Sequence, residues 1–162
     1  MSAGGVPRIT LGAALEAEHR EIDGGIERFL DTLREGAPDT ESLLRAMGGL
    51  RRHIYLEEAF LFPPLKDAGM TMPVFVMLRE HGELWRAMDG IDTLLGDAQD
   101  EDAAGRSAVE LLSLLDKHNS KEEPIIYTKA DEVLDADATA ELRIFLTDGE
   151  LPDGWVCSGA HT

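Results

Sequence analysis

HIYLEEAFLFPP, residues 53–64, and HNSKEEPIIYTK, residues 118–129, open on the same pattern. A histidine comes first, a glutamate follows four residues on, and a second glutamate stands beside it. Four residues span about 400° of an α-helix, so His53 and Glu57 lie about 40° apart on one face. His118 and Glu122 do the same. In both segments the apolar residues occupy that face as well, so the polar pairs point where a core is expected.

Reading outward, turn signals divide the chain. GAPDT at 36–40 is a turn with Asp39 or Thr40 as helix N-cap, and PP at 63–64 ends or kinks a helix ahead of a loop at 66–73. GDAQDED at 96–102 is an acidic loop, and DGELPDGW at 148–155 leads into a tail. Between these lie four long segments, then a shorter one at about 137–147. Leu11, Leu15, Ile22, Ile26, Phe29 and Leu33 mark the first with helical spacing, and His19 fills the missing place. The second carries Ala46, Leu50, His53, Glu57 and Phe60; the third carries Val74, Met77, His81, Leu84, Met88, Ile91 and Leu95. The fourth carries Ala108, Leu111, Leu115, His118, Glu122 and Ile125. Four single-striped helices with short connections predict an all-α fold: an antiparallel up-down-up-down four-helix bundle, capped by a short C-terminal fifth helix.

Each stripe has a histidine near its middle, and two stripes add a glutamate. Burying carboxylates without compensation is costly. Metal ions remove the conflict, because bundle cores are common sites for ligands projecting from facing helices. His19, His53, Glu57, His81, His118 and Glu122 fit two ions, with two histidines each and bridging carboxylates. One zinc ion is saturated by four groups. The set is too rich in nitrogen for calcium or magnesium and contains no thiolate, so iron fits best, with manganese or zinc as substitutes.

The sequence resembles the hemerythrin-like, or HHE cation-binding, family. EHREID with His19, HIYLEE with His53 and Glu57, REHGEL with His81, and HNSKEEPIIY with His118 and Glu122 carry the resemblance across residues 10–130. It implies a non-haem di-iron centre bridged by Glu57, Glu122 and an oxo or hydroxo group. Trp85 stands where oxygen carriers of the family have a further histidine, and Glu122 replaces an aspartate found one residue farther along. The departures imply no reversible oxygen carriage. They point instead to members that bind or sense oxygen, nitric oxide or peroxide, with peroxide or nitric oxide detoxification, or iron handling and iron-centre repair, as alternatives. Ferritin-like sites use Glu-x-x-His, which is not the spacing here. On this division, 1–9 is a flexible N-terminus, 10–147 the bundle with its capping helix, and 148–162 a tail.

Tyr55 and Tyr127 flank the two ligand motifs and read as packing residues at the bundle edge, with a hydrogen bond to a metal-bound species as the alternative. Glu58 and Glu123, about 100° off the inner face, read as solvated, with a shifted register that makes either a ligand as the alternative. Pro124 is expected to kink the fourth helix after Glu122. Cys157 reads as an inert thiol near a flexible terminus, with a redox role or a fold back toward the metal as the alternative, and His161 as a solvated tail residue.

The formal net charge of −17 repels phosphate, so neither nucleic acid nor an anionic membrane is an expected partner; a small diatomic or peroxide ligand is. The lone cysteine excludes an internal disulfide, and MSAGGVPRIT has no charged region followed by an apolar one. The expected location is the cytoplasm.

Overall fold

In the computed structural model, which describes residues 9–161, the chain is almost wholly helical. The helices are α1 (Leu11–Arg34), α2 (Thr40–Leu56), α3 (Phe62–Asp67), α4 (Thr71–Leu95), α5 (Glu101–Lys121), α6 (Thr128–Val133) and α7 (Ala136–Asp148), with a 3-10 turn at Ser158–His161. Two π-helical stretches, Glu57–Leu61 and Glu122–Tyr127, join α2 to α3 and α5 to α6 without interruption. Four rods result: α1, α2–α3, α4 and α5–α6. Each packs on its sequence neighbour, and α5 closes the ring against α1. This is the expected antiparallel four-helix bundle. The expected flexible stretch at 1–9 lies, apart from Ile9, outside the described residues.

Side-chain oxygens start most helices. Thr10, Asp39, Asp100 and Asp135 accept from the N–H groups of Ala13, Ser42, Ala103 and Ala138, each relieving a donor that the first turn leaves unpaired. Gly36, at φ 85°, turns the chain out of α1.

Pro63 and Pro64, expected to end or kink a helix, do not end it. Both prolines open α3 directly after the π stretch, so their missing N–H groups fall where the α-helical ladder is already shifted, and the rod runs on to Asp67. The connection to α4 shortens to 68–70, with Gly69 at φ 90° and the Met70 N–H bonded to the Leu65 carbonyl at 2.9 Å. Likewise α5 begins at Glu101, leaving only 96–100 as loop.

The π stretches also correct the expected stripes. A π turn holds one residue more than an α turn, so the inward face moves along by one position. Leu61 and Phe62 are buried while Phe60 is only half-buried; Ile126 and Tyr127 are buried while Ile125 is 48% exposed.

Two apolar clusters fill the bundle. One, built around Ile26, Phe29, Met47, Leu84, Met88 and Leu111, occupies the half nearest the α1–α2 and α4–α5 loops. The other, with Leu15, Leu61, Leu65, Met77, Ile126 and Leu142, occupies the half beneath α7. Arg52 ties α7 down: its guanidinium donates to the carbonyls of Phe145, Leu146 and Gly149. No helix among the described residues is long and apolar enough to cross a membrane.

The C-terminal segment is strapped to the bundle. Trp155 packs edge-on to Trp85 at 5.5 Å and to Tyr55 at 5.0 Å, and Cys157 is fully buried. Burial, and then the Glu58 carboxylate, push the Cys157 thiol up to about 11. Docking depends on two glycines in contact. A Cβ on Gly82 would meet the carbonyl carbon and oxygen of Gly159 at 2.6 Å. Backbone cannot yield as a flexible side chain can, so Gly82→Ala should lift the strap at about 1–3 kcal/mol. Native Cys157 should react slowly with a thiol reagent, and roughly ten times faster or more in Gly82→Ala, as 1.4 kcal/mol corresponds to about tenfold. Equal rates in the two proteins would show that the strap is not held there.

Candidate metal centre

His19, His53, Glu57, His81, His118 and Glu122 meet at mid-height between the two apolar clusters, all of them at most 3% exposed. Each rod supplies one histidine, and the two glutamates open the two π stretches. The donors form two groups, His19–His53–Glu57–Glu122 and Glu57–His81–His118–Glu122, with the ligand atoms of each group within 4.8 Å of one another. The carboxylates are shared oxygen by oxygen. Glu57 Oε2 lies 3.3 Å from His53 Nε2, and its Oε1 lies 3.0 Å from His81 Nε2. Glu122 Oε1 lies 3.2 Å from His19 Nε2, and its Oε2 lies 3.3 Å from His118 Nε2.

These are the separations of neighbouring ligands on one ion: bonds of about 2.1 Å at right angles put the ligand atoms about 3.0 Å apart. Glu57 Oε1, His81 Nε2 and Glu122 Oε2 are buried without a hydrogen-bond partner although these neighbours are close. His81 Nε2 and Glu57 Oε1 lie 3.0 Å apart without the geometry of a hydrogen bond. Buried polar atoms of this kind fit a cation.

The outer nitrogens are all held. His19 Nδ1 meets Glu123 at 2.8 Å, His53 Nδ1 meets Glu18 at 2.7 Å, His81 Nδ1 meets Glu58 at 2.8 Å, and His118 Nδ1 meets Glu80 at 2.9 Å. Each carboxylate comes from the neighbouring rod, so the four pairs run as a closed ring around the bundle. A carboxylate on Nδ1 fixes Nε2 as the inward donor and raises its basicity, the usual support for a metal-bound imidazole. Arg52 reaches Glu18 at 3.4 Å, Lys121 pairs with Glu80, and Ser158 N–H donates to Glu58 at 3.1 Å.

Tyr127 enters the centre itself. Its hydroxyl lies 2.6 Å from Glu57 Oε2, 2.9 Å from the Nε2 atoms of His19 and His53, and 3.0 Å from Glu122 Oε1. Its ring stacks on His19 at 5.4 Å.

The family model of the hemerythrin HHE cation binding domain matches residues 10–130, well over half of the chain. The chain belongs to this family. No curated protein and no solved structure matches it significantly. As an HHE domain with a buried His/Glu cluster at its centre, it is a metal-binding protein.

The six donors expected from the HHE motifs are brought together. Four outer carboxylates and one tyrosine complete the centre that the motifs only outline. Glu58 and Glu123, read as solvated, hold His81 and His19 instead, because the π turn swings the residue after each inner glutamate toward the next rod. Tyr127, read as packing, is turned inward by the same extra residue. Tyr55 does pack, against Phe60, Phe145 and Trp155. Glu18 and Glu80 had a visible signal: each immediately precedes a histidine, in EHREID and REHGEL. Trp85 is buried beneath Arg51, whose guanidinium lies 5.5 Å above the ring.

Without a bound cation the centre holds protons. Burial pushes the His53 imidazole down, but Glu57 and then Glu18 reverse this and raise its pKa to about 10. Burial against Glu122 and Glu80 leaves His118 raised to about 10 as well. Burial raises Glu80, but His118 and Lys121 outweigh it and lower it to about 2. The histidines start from 6.5, so their contribution to stability is complete below that pH and is lost as pH rises through about 10. Glu80 starts from 4.5, so its contribution holds above that pH and is lost as pH falls through about 2. In chelator, the melting temperature should therefore be highest between pH 4.5 and 6.5 and fall steadily toward pH 10. A melting temperature that climbs over that upper range would contradict the protonated ring.

Proposed function

We propose that this HHE domain holds two iron ions and binds or senses a small oxygen- or nitrogen-containing molecule such as dioxygen, nitric oxide or peroxide. One observation carries the reading: the two donor groups share both carboxylates, one oxygen of each to each group. Two imidazoles and two carboxylate oxygens per ion, with no thiolate, suit iron. A bound iron pair would supply redox chemistry toward such molecules.

The chain's own side chains orient and shield. Glu18, Glu58, Glu80 and Glu123 lock the imidazoles with Nε2 inward. The apolar clusters on either side keep bulk water from the centre. An almost purely apolar groove of about 290 Å³, lined by Met72, Val76 and Ile125 among others, has Met77 and Ile126 in its wall. These stand one turn from His81 and Glu122, and their chemistry suits the approach of a small neutral molecule rather than a charged metabolite.

Elemental analysis of protein from iron-fed cells should give two irons per chain, and at most one tightly held metal ion would refute the reading. Loading should raise the melting temperature by roughly 5–10 °C at a hundredfold excess over Kd, from about 2.7 kcal/mol of linkage at about 2–4 °C per kcal/mol. Because bound histidines must be neutral, this gain should grow with pH over the range in which the metal-free chain weakens. Glu80→Ala should lower metal affinity about 10–100-fold while the helical content is kept. Catalytic loss of peroxide or nitric oxide, in place of a stoichiometric spectral change, would make the protein an enzyme rather than a sensor.

A further inference from the structure

The two halves of the centre are related by an approximate twofold symmetry that the sequence repeats. His19 corresponds to His81, His53 to His118, Glu57 to Glu122 and Glu58 to Glu123. Nine residues after His53 stands Phe62, and nine residues after His118 stands Tyr127. Both are fully buried just past a π stretch or at its end, and they occupy equivalent places: Tyr127 stacks on His19 at 5.4 Å and 29°, and Phe62 on His81 at 5.4 Å and 21°. Among these paired residues the only difference is one atom, the tyrosine oxygen.

That atom divides the donors. Every inward atom of the His19–His53 group lies within 3.0 Å of the Tyr127 hydroxyl. The unpartnered buried atoms of the centre, Glu57 Oε1, His81 Nε2 and Glu122 Oε2, all belong to the other group, which Phe62 faces. Hydrogen bonding accounts for at most three of the four contacts to Tyr127. A phenol has one proton to give and two lone pairs to receive with, so its proton serves only one of the two glutamates, Glu57 or Glu122. Separations of 2.6–3.0 Å are instead those of five ligands sharing one ion.

We infer that the Tyr127 oxygen is a fifth protein ligand at the His19–His53 position, and that Phe62 leaves the His81–His118 position as the one open to an exogenous molecule. The inference rests on the two-metal reading above. On ligation the phenolic proton is displaced to solvent, as metals displace protons from their ligand sets. The apolar groove fits this assignment, since Met77 in its wall stands one turn from His81, which belongs to the open group alone.

The test is spectroscopic and needs no turnover. Ferric wild-type protein, loaded with two irons, should show a tyrosinate-to-iron charge-transfer absorption with phenolate modes in its resonance Raman spectrum. Tyr127→Phe should lose both while keeping two irons. Titration with sodium azide should give one bound azide per chain in the wild type, two in Tyr127→Phe and none in Phe62→Tyr. Two irons without phenolate modes would overturn this inference and leave the two-metal reading standing. Fewer than two irons would overturn both. Should Tyr127→Phe fail to fold, the wild-type Raman spectrum and the Phe62→Tyr titration still decide. Azide stoichiometry identical in all three proteins would overturn the assignment of the open position.

Discussion

Two carboxylates with no solvent exposure, Glu57 and Glu122, face each other across an apolar bundle, and the surrounding structure is arranged around that constraint. Four imidazoles converge on them from four rods, and four more carboxylates hold the imidazoles from outside. The six carboxylates exceed the four imidazoles by two, so full protonation of every histidine would still leave the cluster negative. Arg52 and Lys121 offset part of this at the rim, at Glu18 and Glu80. Positive charge at the centre is what the donor set lacks, and cations between the shared carboxylates place it where the deficit is greatest.

The π turns are the mechanical means by which the rods meet that demand. Each begins at an inner glutamate. In an unbroken α-helix the residue beside the glutamate points away from the next rod, and the apolar stripe continues three and four residues on. The extra residue moves the stripe to Leu61 and Phe62 in one rod and to Ile126 and Tyr127 in the other. Glu58 and Glu123 thereby reach across to His81 and His19. Prolines accompany both π turns: Pro124 lies inside one, and Pro63 and Pro64 follow the other, where the missing N–H groups already disturb the α-helical ladder.

The fold and the inner donors were legible because they depend on regular spacing. Leu15–His19–Ile22 and Leu50–His53–Glu57 follow helical periodicity, and four such stripes admit few arrangements. Periodicity could not reveal what lies past the two irregular turns, since it assumes a constant turn. That assumption placed Phe60 and Ile125 inward and left Glu58, Glu123 and Tyr127 outside. The strap at the C-terminus was illegible for another reason. Its docking depends on Gly82 and Gly159 lacking side chains, so that a third-helix backbone and a distant turn can touch, and an absent side chain leaves no pattern in the hydrophobic rhythm.

The correspondence between the two helical hairpins has a consequence for how such a centre could diversify. Two identical hairpins associating around the same axis would supply the same donors, two histidines per ion and one bridging carboxylate from each copy. They would also be obliged to place the same residue after both π turns. Joining the hairpins in one polypeptide removes that obligation, because each position can then mutate alone. Phe62 and Tyr127 are where this chain has used the freedom, so the covalent link between its halves lets the two donor groups differ.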